Sequence, residues 1–322
     1  MAGMTGRPGE SPERTERVEC GRAGSRLLVI RPGALGDSVL TEPVIAALRN
    51  NQPGATIHLA GRPEYLELLV GGAGADARLD FDGPAFTSLF SNGPVRLPGY
   101  DLIVAFLPDP DNRLRDRLRT TAGRAVVLDP RPSGGCHITD HLLSALAPLD
   151  IAPFRRRPRI TPSAEWQSAA RSLVPGDGYA VIHLGSGGDR KLLPTERWAE
   201  VIEQAAPVPV LLTCGPADRR TVGDLCGLSD QSGRVTVVAG QPITTIAGLL
   251  AGAAIYLGCD SGVTHLAAAV GVPTVALFGP TDPATWAPRG ERVTVIRGDG
   301  GGMASISTES VLRATSALGW PG

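Results

Sequence analysis

The sequence predicts an α/β protein made of two doubly wound, parallel-sheet halves that face each other across a cleft. Three observations predict it. The chain has 322 residues, enough for two domains of roughly 100 to 200 residues each. Short apolar runs alternate with segments of helical spacing, the pattern of parallel strands covered by helices on both faces. That alternation stops at a Pro- and Arg-rich stretch between Asp150 and Ser163 and then begins again.

Residues 1–25 mix Gly, Pro, Ser, Arg and Glu without periodicity and read as a flexible tail. Leu27 to Ile30 is a strand, and it leads through Arg31-Pro-Gly-Ala-Leu-Gly-Asp37 into a helix marked by Val39, Leu40, Val44, Ile45 and Leu48. Ala55 to Ala60 reads as a second strand, Tyr65 to Val70 as a short helix and Leu102 to Leu107 as a buried strand. Beyond the linker, strands are expected at 179–184, 208–213, 234–238, 254–258 and 273–278. Helices are expected at 195–206, 244–251 and 263–270, the last closed by Gly271. A final amphipathic segment runs from Ser307 through Val311 and Leu312 to Leu318. The expected boundaries are therefore a tail at 1–25, a first domain at 26–158, a second at 159–306 and a terminal helix at 307–322.

Composition narrows the function. Hydrophobic residues make up 42% and charged residues 20%, with mean hydropathy +0.04, which excludes disorder and coiled coil. A net charge of −1 provides no field for gathering polyanions, so nucleic acid is not an expected partner. The five cysteines contain no C-x-x-C pair, which argues against a disulfide framework or zinc site and for a reducing cytoplasm. No apolar run approaches the roughly 20 residues of a membrane span, and the first 25 residues lack a signal peptide's apolar core. A soluble, cytoplasmic protein without an integral membrane segment is expected.

Ligands of open α/β sheets sit beyond the carboxyl ends of the strands, so three loops stand out. The first, Arg31 to Asp37, occupies the place of a dinucleotide fingerprint, but Arg31 stands at its first glycine position and no Gly-Lys-Ser/Thr follows. Asp37 at the helix entrance reads either as a catalytic carboxylate or as a first-turn acid that stabilises the helix. The second loop, Gly185-Ser186-Gly187-Gly188-Asp189-Arg190-Lys191, frees backbone amides to face an anion. Of 31 basic residues 30 are arginine, and Lys191 is the single lysine. A compact ammonium that a planar guanidinium cannot replace explains it, with chance survival at an exposed site as the alternative. The third loop, Cys259-Asp260-Ser261-Gly262-Val263-Thr264-His265, joins a buried strand to an apolar helix and turns amides out of a positive helix end, a phosphate seat. Asp260 as a helix cap and His265 as a satisfied helix histidine are the structural alternatives.

In this combination and order, the Gly36-Asp37 loop, the His183 to Trp198 stretch with Lys191, Asp260-Ser-Gly-Val-Thr-His265-Leu-Ala-Ala-Ala and Phe278-Gly-Pro-Thr-Asp-Pro283 resemble the family 9 glycosyltransferases. The best known members of that family are the ADP-heptose:lipopolysaccharide heptosyltransferases. The resemblance runs from about Leu27 to Trp320. It implies a GT-B fold with two Rossmann-like domains, the acceptor bound by the first and the sugar nucleotide by the second, and a closing helix that returns to the first. It implies that Asp37 is the general base for inverting attack on the anomeric carbon, with Gly36 in the acceptor-side loop. Ser186, Gly187 and Lys191 would hold the diphosphate, and Ser261, Gly262 and the helix beginning at Val263 would take up charge on the departing nucleotide. Asp260 and His265 would orient donor groups, Asp218 would meet the nucleoside, and Thr281 with Asp282 would line the same edge.

Asp80-Phe-Asp82 and Asp109-Pro-Asp111 both spell D-x-D, but neither lies in the expected donor half, so no metal and no resident cofactor is expected. ADP-heptose would be a substrate. For the acceptor the charges are mixed. Arg62 to Asp111 carries three arginines and eight acids, whereas Arg113 to Arg131 carries six arginines and two acids. The first would suit a cationic natural product such as an aminoglycoside, the second an anionic lipopolysaccharide core, and the GC-rich residue usage favours the former. A GT-B-type nucleotide-sugar epimerase and a non-catalytic nucleotide-sugar-binding protein of the same fold are the rival readings.

Overall fold

The computed structural model describes residues 24–71, 74–174, 176, 178–204, 208–215 and 234–320. Residues 1–23 of the expected tail, Asp218 and the last two positions of the helix expected at 195–206 lie outside the described residues. Strands β1 (Arg26–Ile30), β2 (Thr56–Gly61), β3 (Ala77–Asp80), β4 (Tyr100–Phe106) and β5 (Ala122–Leu128) form one sheet in the order β3-β2-β1-β4-β5, every neighbour parallel. Strands β6 (Ala180–His183), β7 (Val210–Cys214), β8 (Val235–Ala239), β9 (Ile255–Cys259), β10 (Thr274–Phe278) and β11 (Val293–Arg297) form a second parallel sheet in the order β11-β10-β9-β6-β7-β8. Chain direction across each sheet reverses beside its first strand, between β1 and β4 and between β6 and β9. Parallel sheets open a crevice at such switch points.

The central strands are predominantly apolar because helices cover both of their faces. Every residue of β6, β7, β9 and β10 is buried. The helices of seven or more described residues are α1 (Leu35–Asn51), α2 (Arg113–Arg119), α3 (Ile138–Ser144), α4 (Ala164–Arg171), α5 (Thr195–Gln204), α6 (Ile243–Gly252), α7 (Gly262–Val270) and α8 (Thr308–Ala317). Helix α7 ends where Gly271 turns left-handed at φ +97°, a conformation that costs glycine nothing. The helix expected at Tyr65–Val70 is instead a four-residue turn at Pro63–Leu66 followed by a 3₁₀ turn at Glu67–Leu69.

The two sheets are not two separate cores. Helix α1 of the first half packs against α7 of the second, and one apolar cluster joins Val29, Val44 and Leu48 to Val181, Leu211 and Leu266. Polar ties reinforce the seam. Fully buried Glu42 on α1 accepts from the Arg155 guanidinium and from the Arg159 amide at 3.0 Å, which pins the linker. Burial pushes the Glu42 carboxyl up, and its Arg155 and Arg159 bonds oppose that. Asp140 on α3 takes two bonds from Arg289, at 2.9 and 2.6 Å, and one from Arg156. With Arg289 as the main cause, these hold its carboxyl well below the usual carboxylate range.

The terminal helix departs from expectation. It does not return to the first domain: α8 lies on α5, β10 and β11 of the second. Val311 and Ala314 enter that half's own core with Trp198, Leu257 and Trp320, and Thr308 donates to Glu200 on α5.

Candidate active site

The loops after β1, β6 and β9 converge on the crevice between the sheets. At its centre the amino ends of two packed helices, α1 and α7, come together. Ser261 caps α7 by accepting the Thr264 amide at 3.3 Å, and the amides of Gly262 and Val263, the first two helical positions, have no intrahelical acceptor. Thr264 is locked behind them by Tyr256 at 2.9 Å and by the Cys259 carbonyl at 2.5 Å. Helix α1 presents its own amino-terminal end to the same point, with Leu35 and Gly36 as its first positions. Two positive helix ends therefore share one seat.

Behind α7 the Gly185–Lys191 loop folds against Asp260. The Ser186 hydroxyl donates to the Asp260 carbonyl at 2.7 Å, and the Lys191 ammonium lies 2.7 Å from Asp260 Oδ2. Asp260 is 8% exposed and Lys191 34%. Asp260 thus aims the lysine, and an ammonium has three donors, so two remain for an anion. Ser261 spends its side chain as a cap and offers the site its place at the helix end rather than its hydroxyl.

Asp37 lies across the seam in the first turn of α1. Its Oδ2 accepts the Ala34 amide at 2.9 Å and its Oδ1 lies 2.5 Å from Arg31 Nη2. The capping role and the exposed carboxylate coexist, for the side chain remains 33% exposed. His265 connects the two sides: its Cδ2 would stand 3.5 Å from a Cβ on Gly36. Burial drives the His265 imidazole down to about 4, opposed by Asp260 and Asp37 and reinforced by His137 and Lys191. The ring is therefore neutral at pH 7, enclosed by Asp37, Asp260, Lys191 and His137. His137 accepts the Thr139 amide at Nδ1, so its proton sits on Nε2, which donates to the Ala287 carbonyl at 2.8 Å.

A cleft of 460 Å³ opens beside these groups. Ala34, Leu35, Glu64 and Tyr65 wall it from the first half, and Ser186, Gly187, Ser261 and Gly262 from the second. Its far end is formed by Thr213, Cys214 and the Gly240–Ile243 turn. The structure thus brings Gly36, Asp37, Ser186, Gly187, Lys191, Asp260, Ser261, Gly262 and His265 into one region. Thr281 is half-buried in the loop after β10; like Gly36, Asp37, Lys191, Asp260 and His265 it does not itself wall the cleft, and among the described residues no side-chain bond ties it to those groups. Asp282 beside it caps the next turn through the Ala284 amide at 3.3 Å. Arg31, His137, Tyr65 and the Gly240–Ile243 turn were not singled out as site residues in the sequence. Arg31 was visible as the charged residue displacing a loop glycine; His137 carried no local signal.

The D-x-D carboxylates have local duties. Asp109 takes the Leu114 and Arg115 amides at 2.9 and 3.0 Å, and Asp80 takes the Asp82 amide at 3.0 Å. Among the described residues no group of three or more His, Cys, Asp or Glu side chains is placed to hold a metal ion, and no helix is long and apolar enough to cross a membrane.

Comparison with known proteins agrees with this geometry. The family model for glycosyltransferase family 9 (heptosyltransferase) matches residues 137–315, more than half of the chain. Lipopolysaccharide heptosyltransferase 3 of Escherichia coli K12 is 28% identical over 287 residues, covering 80% of this chain and 83% of that protein. Among solved structures, a family 9 glycosyl transferase from Veillonella parvula superposes with a TM-score of 0.76 at 20% identity, covering 91% of this chain and 97% of that one. The E. coli ADP-heptose LPS heptosyltransferase II does so with 0.74 at 18% identity, covering 91% and 98%. These likenesses show the fold, two facing Rossmann-like domains of GT-B type.

Proposed function

Because the chain belongs to glycosyltransferase family 9, we propose that it moves a heptose from ADP-heptose to an acceptor hydroxyl with inversion at the anomeric carbon. One observation carries the reading: a carboxylate one-third exposed, Asp37, stands in one domain across the seam from an anion seat built of the α7 amides and Lys191 in the other. A carboxylate within reach of a hydroxyl serves as general base. Amides and an ammonium fixed in advance stabilise charge developing on a departing diphosphate.

In this reaction the acceptor oxygen forms its bond to the anomeric carbon as the carbon–phosphate oxygen bond breaks. The electron pair leaves on the nucleotide, toward Gly262, Val263 and Lys191, and the hydroxyl proton passes to Asp37. The far end of the cleft, at Thr213, Cys214 and the Gly240–Ile243 turn, is the place for the nucleoside. Asp218, in the stretch following Cys214, lies outside the described residues and keeps its role as a nucleoside contact only by family resemblance.

The acceptor we assign is a cationic natural product of the aminoglycoside type. Glu64 lines the cleft, and Asp80 and Asp82 stand exposed at the end of β3. The arginines that favour an anionic core are largely engaged elsewhere. Arg117 binds the carbonyls of Ser88, Leu89 and Gly93, Arg131 binds Asp129, and Arg115 binds Asn112. We take the reaction to be cytoplasmic, with which the free thiols of Cys136 and Cys259 are consistent.

The test is ADP release from ADP-heptose against aminoglycosides and truncated lipopolysaccharide cores, with the product's anomeric configuration read by NMR. Transfer with inversion is expected. Donor turnover without any acceptor would favour an epimerase, and nucleotide-sugar binding without turnover a non-catalytic protein. Transfer to the lipopolysaccharide core alone would keep the reaction and overturn the acceptor.

A further inference from the structure

Arg31, the first residue after β1, is buried with only 5% of its side chain exposed. Its backbone is fixed on both sides: its amide donates to the Ala60 carbonyl at 2.8 Å, and a Cβ on Gly61 would lie 2.6 Å from its own carbonyl oxygen. From that rigid base the guanidinium reaches up to Asp37, 2.5 Å from Oδ1, while its Nε is buried with no partner among the described residues. The loop closes over the other carboxylate oxygen. Ala34 donates to Oδ2, and a Cβ on Gly33 would strike that oxygen at 2.5 Å.

Stability does not account for this arrangement. Burying a guanidinium is costly, and a partner one-third open to water returns little of that cost. Burial drives the Arg31 guanidinium down and Asp37 only partly restores it. An apolar side chain of similar volume would serve the fold as well. What the pair does achieve is geometric: one donor on each oxygen fixes the plane of the carboxylate, and each oxygen keeps a lone pair for another partner. Reaction rates depend steeply on such placement.

Resting on the transfer reaction proposed above, we infer that Arg31 is a positioning residue, holding the Asp37 carboxylate so that it meets the acceptor hydroxyl in line with the anomeric carbon. Arg31 neither gives nor takes a proton. The hydroxyl proton goes to Asp37 and the leaving electron pair to the nucleotide.

The experiment is a double-mutant cycle of wild type, Arg31→Met, Asp37→Asn and the double variant, with Arg31→Lys as the conservative rescue. Each protein is measured for kcat, donor KM and thermal unfolding. Arg31→Met should lower kcat about 10- to 100-fold with donor KM within about two-fold and Tm unchanged or raised. Arg31→Lys should recover part of kcat. The double variant should be no slower than Asp37→Asn alone, because a residue acting only through Asp37 has nothing left to position. Additive losses, or a normal kcat in Arg31→Met, would overturn the inference while wild-type transfer stands. Absence of transfer by the wild type with every donor and acceptor would instead overturn the proposed reaction, and this inference with it.

Discussion

A Cβ on Gly262 would fall 2.7 Å from the amide nitrogen of Gly36, so the two residues at the amino ends of α7 and α1 touch backbone to backbone. The contact is what lets two domains present their helix ends to one ligand. A side chain at position 262 would meet Leu35 as well, its Cβ at 2.8 Å. Gly262→Ala is therefore expected to cost about 1 to 3 kcal/mol of stability through overpacking and to weaken nucleotide binding. Gly99→Ala, where a Cβ meets nothing within 4 Å, should stay within about 0.5 kcal/mol. Thermal unfolding with and without ADP checks both, and equal behaviour of the two variants would refute the close approach.

Lys191 and Asp260 form the second pair to test. Lys191→Arg keeps the charge but sets a planar fork where a point charge fits, so kcat/KM for the donor should fall about ten-fold or more. Asp260→Asn should raise donor KM by releasing Lys191 from its aim. Unchanged steady-state constants in both variants would show that the pair only ties the Gly185–Lys191 loop to β9.

For Asp37 the structural and catalytic duties separate in one variant. Asparagine retains an oxygen for the Ala34 amide but leaves the buried Arg31 guanidinium without its anion, so Asp37→Asn should lose about 1 to 3 kcal/mol of stability. As a base it fails, and kcat should drop roughly 10²- to 10⁴-fold with nucleotide affinity intact. Turnover near wild type would remove Asp37 from the mechanism.

The neutral His265 makes a prediction about acid stability. Its folded value of about 4 lies below its ordinary 6.5, so between those pH values the unfolded chain takes up a proton that the native one refuses. Stability should fall as pH drops through that window, by about 1.4 kcal/mol per pH unit for each proton refused, and level off for this group below it. Burial also lowers His137, which adds a slope of the same sign. Denaturant titrations from pH 7 to 4 should show His265→Gln with a shallower slope than wild type. Parallel slopes would place the proton uptake elsewhere.

The strands most legible in the sequence were the central ones, because β1, β4, β6, β7, β9 and β10 are largely apolar, mostly buried runs bounded by turns. Of the four described edge strands only β8 was read. In β3 and β11 no position is fully buried, and half-buried and exposed residues such as Arg78, Thr294 and Arg297 break the apolar run, while β5 carries Arg124 on an open edge. Helix α2, Arg-Leu-Arg-Asp-Arg-Leu-Arg, has only Leu114 and Leu118 to mark a buried face, and its arginines read as a charge patch. In the site, loops following strands were visible as glycine-rich punctuation. The pairing of Lys191 with Asp260 crosses 69 positions and that of His137 with Ala287 crosses 150, distances over which one sequence carries no periodic signal. The destination of α8 was misjudged because an amphipathic stripe states that a helix packs without stating on what.

The apolar cluster shared by Val29 and Val181 makes the two sheets one cooperative unit rather than two beads on a string. Calorimetry should record a single endotherm whose van't Hoff and calorimetric enthalpies coincide, although a chain of this length could have melted in two steps. The halves are for the same reason not interchangeable modules. Expressed apart, each would turn the face of α1 or α7 to water, and a donor domain grafted from a relative would have to bring a matching α7 surface along with its nucleotide loops.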